Sequence, residues 1–340
     1  MKKSLISLSI LAAASAATHA QSNVTVYGRI DLGLVLDSGN PAGKSLRISS
    51  GAASSSRLGF MGSEDLGGGY KAGFQLETGY CADSAAGAPN YCGAGNNFMS
   101  RQAHGDLSGP FGSMTAGRQY SLGFDDMITI DPFSTGYAGR INNIVDTSGT
   151  RLNNSFRYTT PSFAGFKAAG EFALGEQTGN WASNREVGAE LGYTAGPAYA
   201  SLVYYDVKNP NGEGSARRNY QFGGTYDFGV AKVAAMVQKD DGDPTGAIKI
   251  DTLDLMGGVT VPLAGGSLLA SFIHHDDRGR LNHDANQIGA GYNYPLSKRT
   301  SVYTAFAHIV NRNGAAYTVG NSTETGVGNK SFNFGVLHKF

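Results

Sequence analysis

The chain of 340 residues has almost no charge imbalance, ten prolines, two cysteines and a single tryptophan. Basic and acidic residues number 27 each, so the basic excess that a phosphate backbone demands is missing and no nucleic-acid partner is expected. Few prolines beside 49 glycines exclude a collagenous chain and argue against a disordered one. After residue 20 no stretch is long and apolar enough for a transmembrane helix. Nor are there the long apolar runs that build the core of a soluble protein; apolar residues stand mostly singly, at every second position. No G-x-S-x-G nucleophile turn and no Glu-x-x-His pair occurs, so neither an enzyme nor a cofactor is expected. His274-His275-Asp276-Asp277 is the one grouping that could hold a metal or a base. A polar surface loop is its plainer reading, and no metal is expected.

What is present begins with an export signal. Lys2 and Lys3 precede an apolar run from Leu5 to Ala17, too short to span a bilayer, and Thr18-His19-Ala20 offers small residues at the positions a signal peptidase reads. Residues 1–20 are therefore expected to be removed, leaving residues 21–340 as one domain with 25 basic and 27 acidic residues. Cys81 and Cys92 lie close together beyond that signal, where a disulfide is the expected state. Closing so short a loop stabilises by roughly 3 kcal/mol in the chain-entropy picture.

The mature chain alternates. Val24, Val26, Gly28, Ile30, Leu32, Leu34 and Leu36 share one face of a strand, and Thr25, Tyr27, Arg29, Asp31 and Gly33 share the other. A strand with one apolar and one charged face fits two structures: a sandwich with a solvated exterior, or a barrel with its apolar face to lipid and its polar face to a water-filled lumen. Segments about ten residues long, connections alternating short and long, and a Gly-rich polar face bearing both charge signs favour the barrel.

Sixteen such segments are predicted, centred near Tyr27, Phe60, Phe74, Ala103, Met114, Arg157, Ala169, Ala189, Leu202, Phe222, Val233, Gly257, Ala270, Gly291, Thr304 and Phe334. The fold class is thus all-β, a 16-stranded antiparallel transmembrane barrel. An even count lets the first and last strands pair and leaves no sheet edge for lipid to satisfy. Its wall would meet outer-membrane lipid and lipopolysaccharide. Tyr193, Tyr226, Phe228, Tyr292, Tyr294 and Phe340 cluster at the short-turn ends, as an interfacial girdle requires.

By parity Arg29, Arg57, Arg118, Arg157, Lys71 and Lys167 point into the lumen, with Asp31, Glu77, Glu171 and Glu190. Arg101 shares parity with Ala103 and Leu107, which would turn it outward. Arginine suits a basic wall because crowding does not deprotonate it. The connection at 120–152 is the longest and carries Asp125, Asp126, Asp131 and Asp146. Phe124, Met127, Ile128, Ile130, Phe133, Tyr137, Ile141, Ile144 and Val145 make it too apolar for a solvated loop. Folded into the barrel, it would bury these side chains and set its acids opposite the arginines. That arrangement predicts a transverse field and a weak preference for anions.

Several motifs together resemble a known family. They are Val24-Thr25-Val26-Tyr27-Gly28, Ser56-Arg57-Leu58-Gly59-Phe60, Glu64-Asp65-Leu66-Gly67, Gly117-Arg118-Gln119-Tyr120, Asn154-Ser155-Phe156-Arg157-Tyr158, Pro161 to Phe166, and the closing His338-Lys339-Phe340. The set resembles the Gram-negative general porins, the trimeric kind typical of betaproteobacteria, over essentially the whole mature chain. The resemblance implies a homotrimer, passive diffusion of small hydrophilic solutes, and a third loop folded into each lumen. It also implies that Arg101 joins the basic wall despite its parity, and that Phe340 marks the barrel for the outer-membrane assembly machinery. Loops rich in Gly, Asn and Ser are compatible with an adhesive role as well.

Overall fold

The computed structural model describes residues 23–84, 98–147 and 149–340. Residues 1–20, read above as an export signal, and Cys92 lie outside the described residues. Cys81 is disulfide-bonded.

The strands are β1 (Asn23–Asn40), β2 (Gly43–Ser50), β3 (Arg57–Gly67), β4 (Tyr70–Gly79), β5 (Gln102–Gly109), β6 (Gly112–Tyr120), β7 (Arg151–Thr159), β8 (Phe166–Ala173), β9 (Glu186–Ala195) and β10 (Ala198–Lys208). They continue as β11 (Ser215–Asp227), β12 (Lys232–Gly242), β13 (Ile250–Leu263), β14 (Gly266–Asp277), β15 (Ala285–Pro295), β16 (Thr300–Asn311) and β17 (Lys330–Lys339). Neighbours pair antiparallel throughout, and β17 returns to β1 from Lys339↔Arg29 to Lys330↔Ser38, which closes the ring. Every one of the sixteen expected segment centres falls in a wall strand.

The seventeenth strand arises from the first connection. β1 is long, and its lower half pairs with β3 while its upper half pairs with β2. β2 and β3 therefore occupy one position in the wall, and the wall has sixteen. The segment between them, Gly51 to Ser56, leaves the wall and enters the lumen, where Asp31 accepts hydrogen bonds from the Ala53 and Ser54 amides (2.7 and 2.5 Å). Gly39, Pro41 and Gly43 break the alternation here, so period two gives no sign of this excursion.

Period two sorts the side chains as expected. Leu34, Phe74 and Phe222 are 50%, 37% and 57% exposed on the outer face, whereas Asp31, Gln221, Gln238 and Gln287 are buried toward the lumen. Rings pack at the short-turn end, Tyr226 with Phe228 (4.5 Å between centroids) and Phe166 with Tyr193 (4.6 Å). The terminal strand is locked there: Gly28 and Phe340 exchange both backbone hydrogen bonds (3.0 and 3.1 Å). A Cβ on Gly28 would stand 2.5 Å from the Phe340 ring, so only glycine admits that ring.

After β6 the chain turns inward as helix α1 (Leu122–Ile130), N-capped by Ser121, whose Oγ accepts from the Phe124 amide (3.2 Å). The loop then packs its apolar residues, among them Met127, Ile130, Phe133, Ile141 and Ile144, against Met236, Met256, Leu269, Ile273 and Ile309 of the wall. The lumen face of β12 to β16 thus carries apolar residues where the loop packs on it. Wall glycines supply clearance: Gly223 lies under Ile130, Gly258 under Pro132, and Gly289 and Gly291 under Phe133.

Candidate functional site

The loop leaves open a cavity of about 680 Å³. Six arginines line it: Arg29, Arg57, Arg101, Arg118, Arg140 and Arg151. Among the described residues two carboxylates do so, Asp146 and Glu324. Hydroxyls from Ser54, Ser55, Thr135, Thr150, Ser322 and Thr323 interleave, and Phe124, Ile128 and Val145 form an apolar flank from the loop.

Each guanidinium has a positioning partner. Arg57 Nε donates to the Ser55 carbonyl (3.1 Å), and Arg29 donates to Ser54 Oγ (2.7 Å), so the inward segment between β2 and β3 orients both. Glu77 sits beneath, 3% exposed, accepting from Arg101 Nε (2.8 Å) and Tyr27 OH (3.0 Å), with Arg57 3.6 Å away. Arg101 faces the lumen although parity points it outward. It precedes β5, where Met99 adopts a positive φ of 55°, and the chain is not yet in the pleat that parity assumes. Arg118 Nε donates to the Ser100 carbonyl (2.5 Å). Tyr120 OH accepts from Arg101 (2.6 Å) and from Arg151 (2.9 Å), and the Arg151 guanidinium also lies 4.4 Å from the centre of that ring.

Other expected residues are placed differently. Arg157 does not line the cavity; it bridges Asp125 (2.9 Å) on α1 and Glu171 (3.0 Å) on β8, and so ties the helix to the wall. Of the four loop acids expected to face the arginines, Asp125 meets Arg157 and Asp146 meets Arg217, whereas Asp126 and Asp131 meet none. Asp126, 2% exposed, accepts from Tyr199 OH, Ser201 Oγ and Gln221 Nε2 (each 2.5 Å), which fastens α1 to β10 and β11. Asp131 turns back on its own loop and accepts from the amides of Phe133 (3.0 Å), Thr135 (2.9 Å) and Ile141 (3.1 Å). Burial pushes its carboxyl up to about 6 against those hydrogen bonds. The physical reason is shared: a helix inside a barrel needs buried acceptors to hold it, and short aspartates supply them.

Asp31 likewise is fully buried beneath the inward segment and accepts from Tyr303 OH (2.5 Å) rather than lining open water. Lys71 and Lys167 are exposed near the short-turn ends of β4 and β8, outside the cavity. His274 and His275 alternate on β14 and so bond to different groups, Asn286 (2.8 Å) and Asp254 (2.6 Å). That alternation removes the joint site considered from their adjacency.

Sequence reading did not single out Arg140 and Arg151, nor the Glu324 segment. Arg151 opens β7, and its parity was hidden by the irregular register at Asn154, which has φ 52°. Arg140 sits in the loop, where no period exists to orient it. Glu324, from the connection after β16, accepts from Arg47 (3.0 Å) and Ser49 (2.7 Å) of β2, which draws that connection into the cavity wall.

Comparison with known proteins agrees with this architecture. A model of the Gram-negative porin family matches residues 7–314. Outer membrane porin protein 32 of Delftia acidovorans is 36% identical over 93% of this chain and 91% of its own. Major outer membrane protein P.IB of Neisseria gonorrhoeae is 28% identical, covering 93% and 95%. Among solved structures, an anion-selective porin from Comamonas acidovorans superposes with a TM-score of 0.80 at 28% identity, covering 94% of this chain and all of that one. A closed barrel of sixteen wall positions, an inward third loop and these relatives together show that the chain belongs to the Gram-negative porins and forms a diffusion channel in the outer membrane.

Proposed function

We propose that this channel passes small hydrophilic anions in preference to cations. The observation that carries the reading is the cavity wall itself, six guanidiniums against two carboxylates. One of those carboxylates, Glu324, is paired with Arg47, and the other, Asp146, with Arg217 (2.6 Å). With Asp126 and Asp131 turned away, the loop offers the arginines a largely neutral face. The potential in the passage is therefore net positive, not a balanced transverse field. Partial pairing of Arg57 and Arg101 with Glu77 keeps the well shallow enough for anions to leave.

The same reading makes Arg57, Arg101 and Arg118 the basic wall and the 120–152 loop the constriction, and gives the chain transport work, not catalysis. Assembly as a homotrimer, cleavage after Ala20 and recognition of Phe340 by the assembly machinery are further parts of it. They rest on the family and on the terminal pairing of Phe340 with Gly28.

Reversal potentials across planar bilayers in a potassium chloride gradient test the selectivity. The sign should favour chloride, and Arg57→Ser with Arg118→Ser should move it toward potassium. A wild-type sign favouring potassium overturns the proposal.

A further inference from the structure

One rung of the barrel carries three cations side by side. Arg29 of β1 stands directly opposite Arg57 of β3 on one side and Lys339 of β17 on the other. Like charges directly opposite one another in a ladder are destabilising. Arg57 has Glu77 within 3.6 Å, whereas no ion pair among the described residues involves Arg29 or Lys339. Such a row costs the barrel stability.

Its position shows what it serves. Arg57 lines the arginine cavity; Lys339 lines a second cavity of about 460 Å³ on the short-turn side of the loop; Arg29 lines both. Barrel strands tilt, so a rung perpendicular to them descends the wall obliquely. Lys232, at the start of β12, also lines the second cavity. Asp227, its partner in the ladder, accepts from the Gly229 amide at the turn (2.8 Å). The acid at the second cavity's own wall is Asp131, 3% exposed and saturated by backbone amides.

From this geometry we infer a second anion-binding stage on the periplasmic side, formed by Lys339 and Lys232 and joined to the constriction through Arg29. It rests on the anion-selective reading and extends it to the exit. A single deep arginine well would hold anions; conduction requires further, weaker sites from which they can leave. Lysine is suited to the exit because its ammonium is a compact, strongly hydrated point charge without the bidentate grip of a guanidinium.

The test is the shape of the single-channel current–voltage curve of Lys232→Gln and Lys339→Gln variants in potassium chloride. At 0.1 M salt, chloride current entering from the periplasmic side should fall, so that the ratio of currents at opposite voltages shifts by about 1.5- to 2-fold. At 1 M, where the screening length is about 3 Å, the shift should vanish. Lys339 lies next to the terminal Phe340, so Lys232→Gln decides the matter if Lys339→Gln assembles poorly. Unchanged ratios at 0.1 M in a Lys232→Gln channel that still favours chloride overturn the second stage and leave the constriction reading intact. A wild-type channel favouring potassium overturns both.

Discussion

Asp126→Ala should unfasten the constriction loop without unfolding the barrel. The carboxylate is buried under α1 and receives three hydrogen bonds from Tyr199, Ser201 and Gln221 on the wall. Hydrogen bonds to a charged group contribute about 1.5–3 kcal/mol each. Three do not add fully, because burying the carboxylate costs several kcal/mol of solvation. Lumen water can also rehydrate the donors left behind. The net loss should be about 2–4 kcal/mol, which multiplies the population with a detached helix by about 30- to 700-fold. Barrel strands lose no ladder bond, so detergent-resistant folding should be unchanged. Single-channel recording is the assay: the variant should show raised open-channel noise and larger conductance events, and Asp126→Asn an intermediate effect. A quiet Asp126→Ala channel of wild-type conductance would refute the reasoning. It would mean that the apolar packing of Met127 and Ile130 holds the helix alone.

Three further outcomes follow from the same geometry. Asp131 is raised by burial to about 6, so its proton stabilises the folded loop; that contribution is full below the unfolded value near 3.9 and is lost as pH rises through 6. Amide exchange at Phe133, Thr135 and Ile141, corrected for intrinsic base catalysis, should show less protection at pH 8 than at pH 4. Tyr120→Phe keeps the ring under Arg151 but removes the oxygen shared by Arg101 and Arg151. Reversal potentials should then change while folding does not, and an unaltered selectivity would show that the phenol orients nothing. Leu34→Arg places a charge on the lipid face and should destabilise the barrel by about 2–4 kcal/mol in urea titrations in lipid, if it lies near the midplane.

Period two made the wall legible. The alternation from Val24 to Leu36 determines which side of β1 meets lipid, and the same logic points Arg57 into the lumen. It failed wherever the pleat is interrupted. Arg101 precedes a strand, Arg151 lies beyond a register shift, and Gly51 to Ser56 leave the wall altogether. Inside the loop, parity says nothing. Asp125, Asp126 and Asp131 look alike in sequence, yet one pairs with an arginine, one fastens the helix and one folds the loop on itself. Their roles depend on which wall residues α1 lands on. Apolar lumen residues such as Met256 and Ile273 are explained only by the docked loop that packs on them.

The most direct measurement compares two single-cysteine changes, Thr325→Cys at a residue lining the arginine cavity and Leu34→Cys on the outer face, by adding a small anionic thiol reagent to open channels. Cys81 is in a disulfide and does not compete. Thr325→Cys should react rapidly and lose current, whereas Leu34→Cys, shielded by hydrocarbon, should leave the current unchanged. Current loss at Leu34→Cys together with silence at Thr325→Cys would contradict a lumen lined by the polar face.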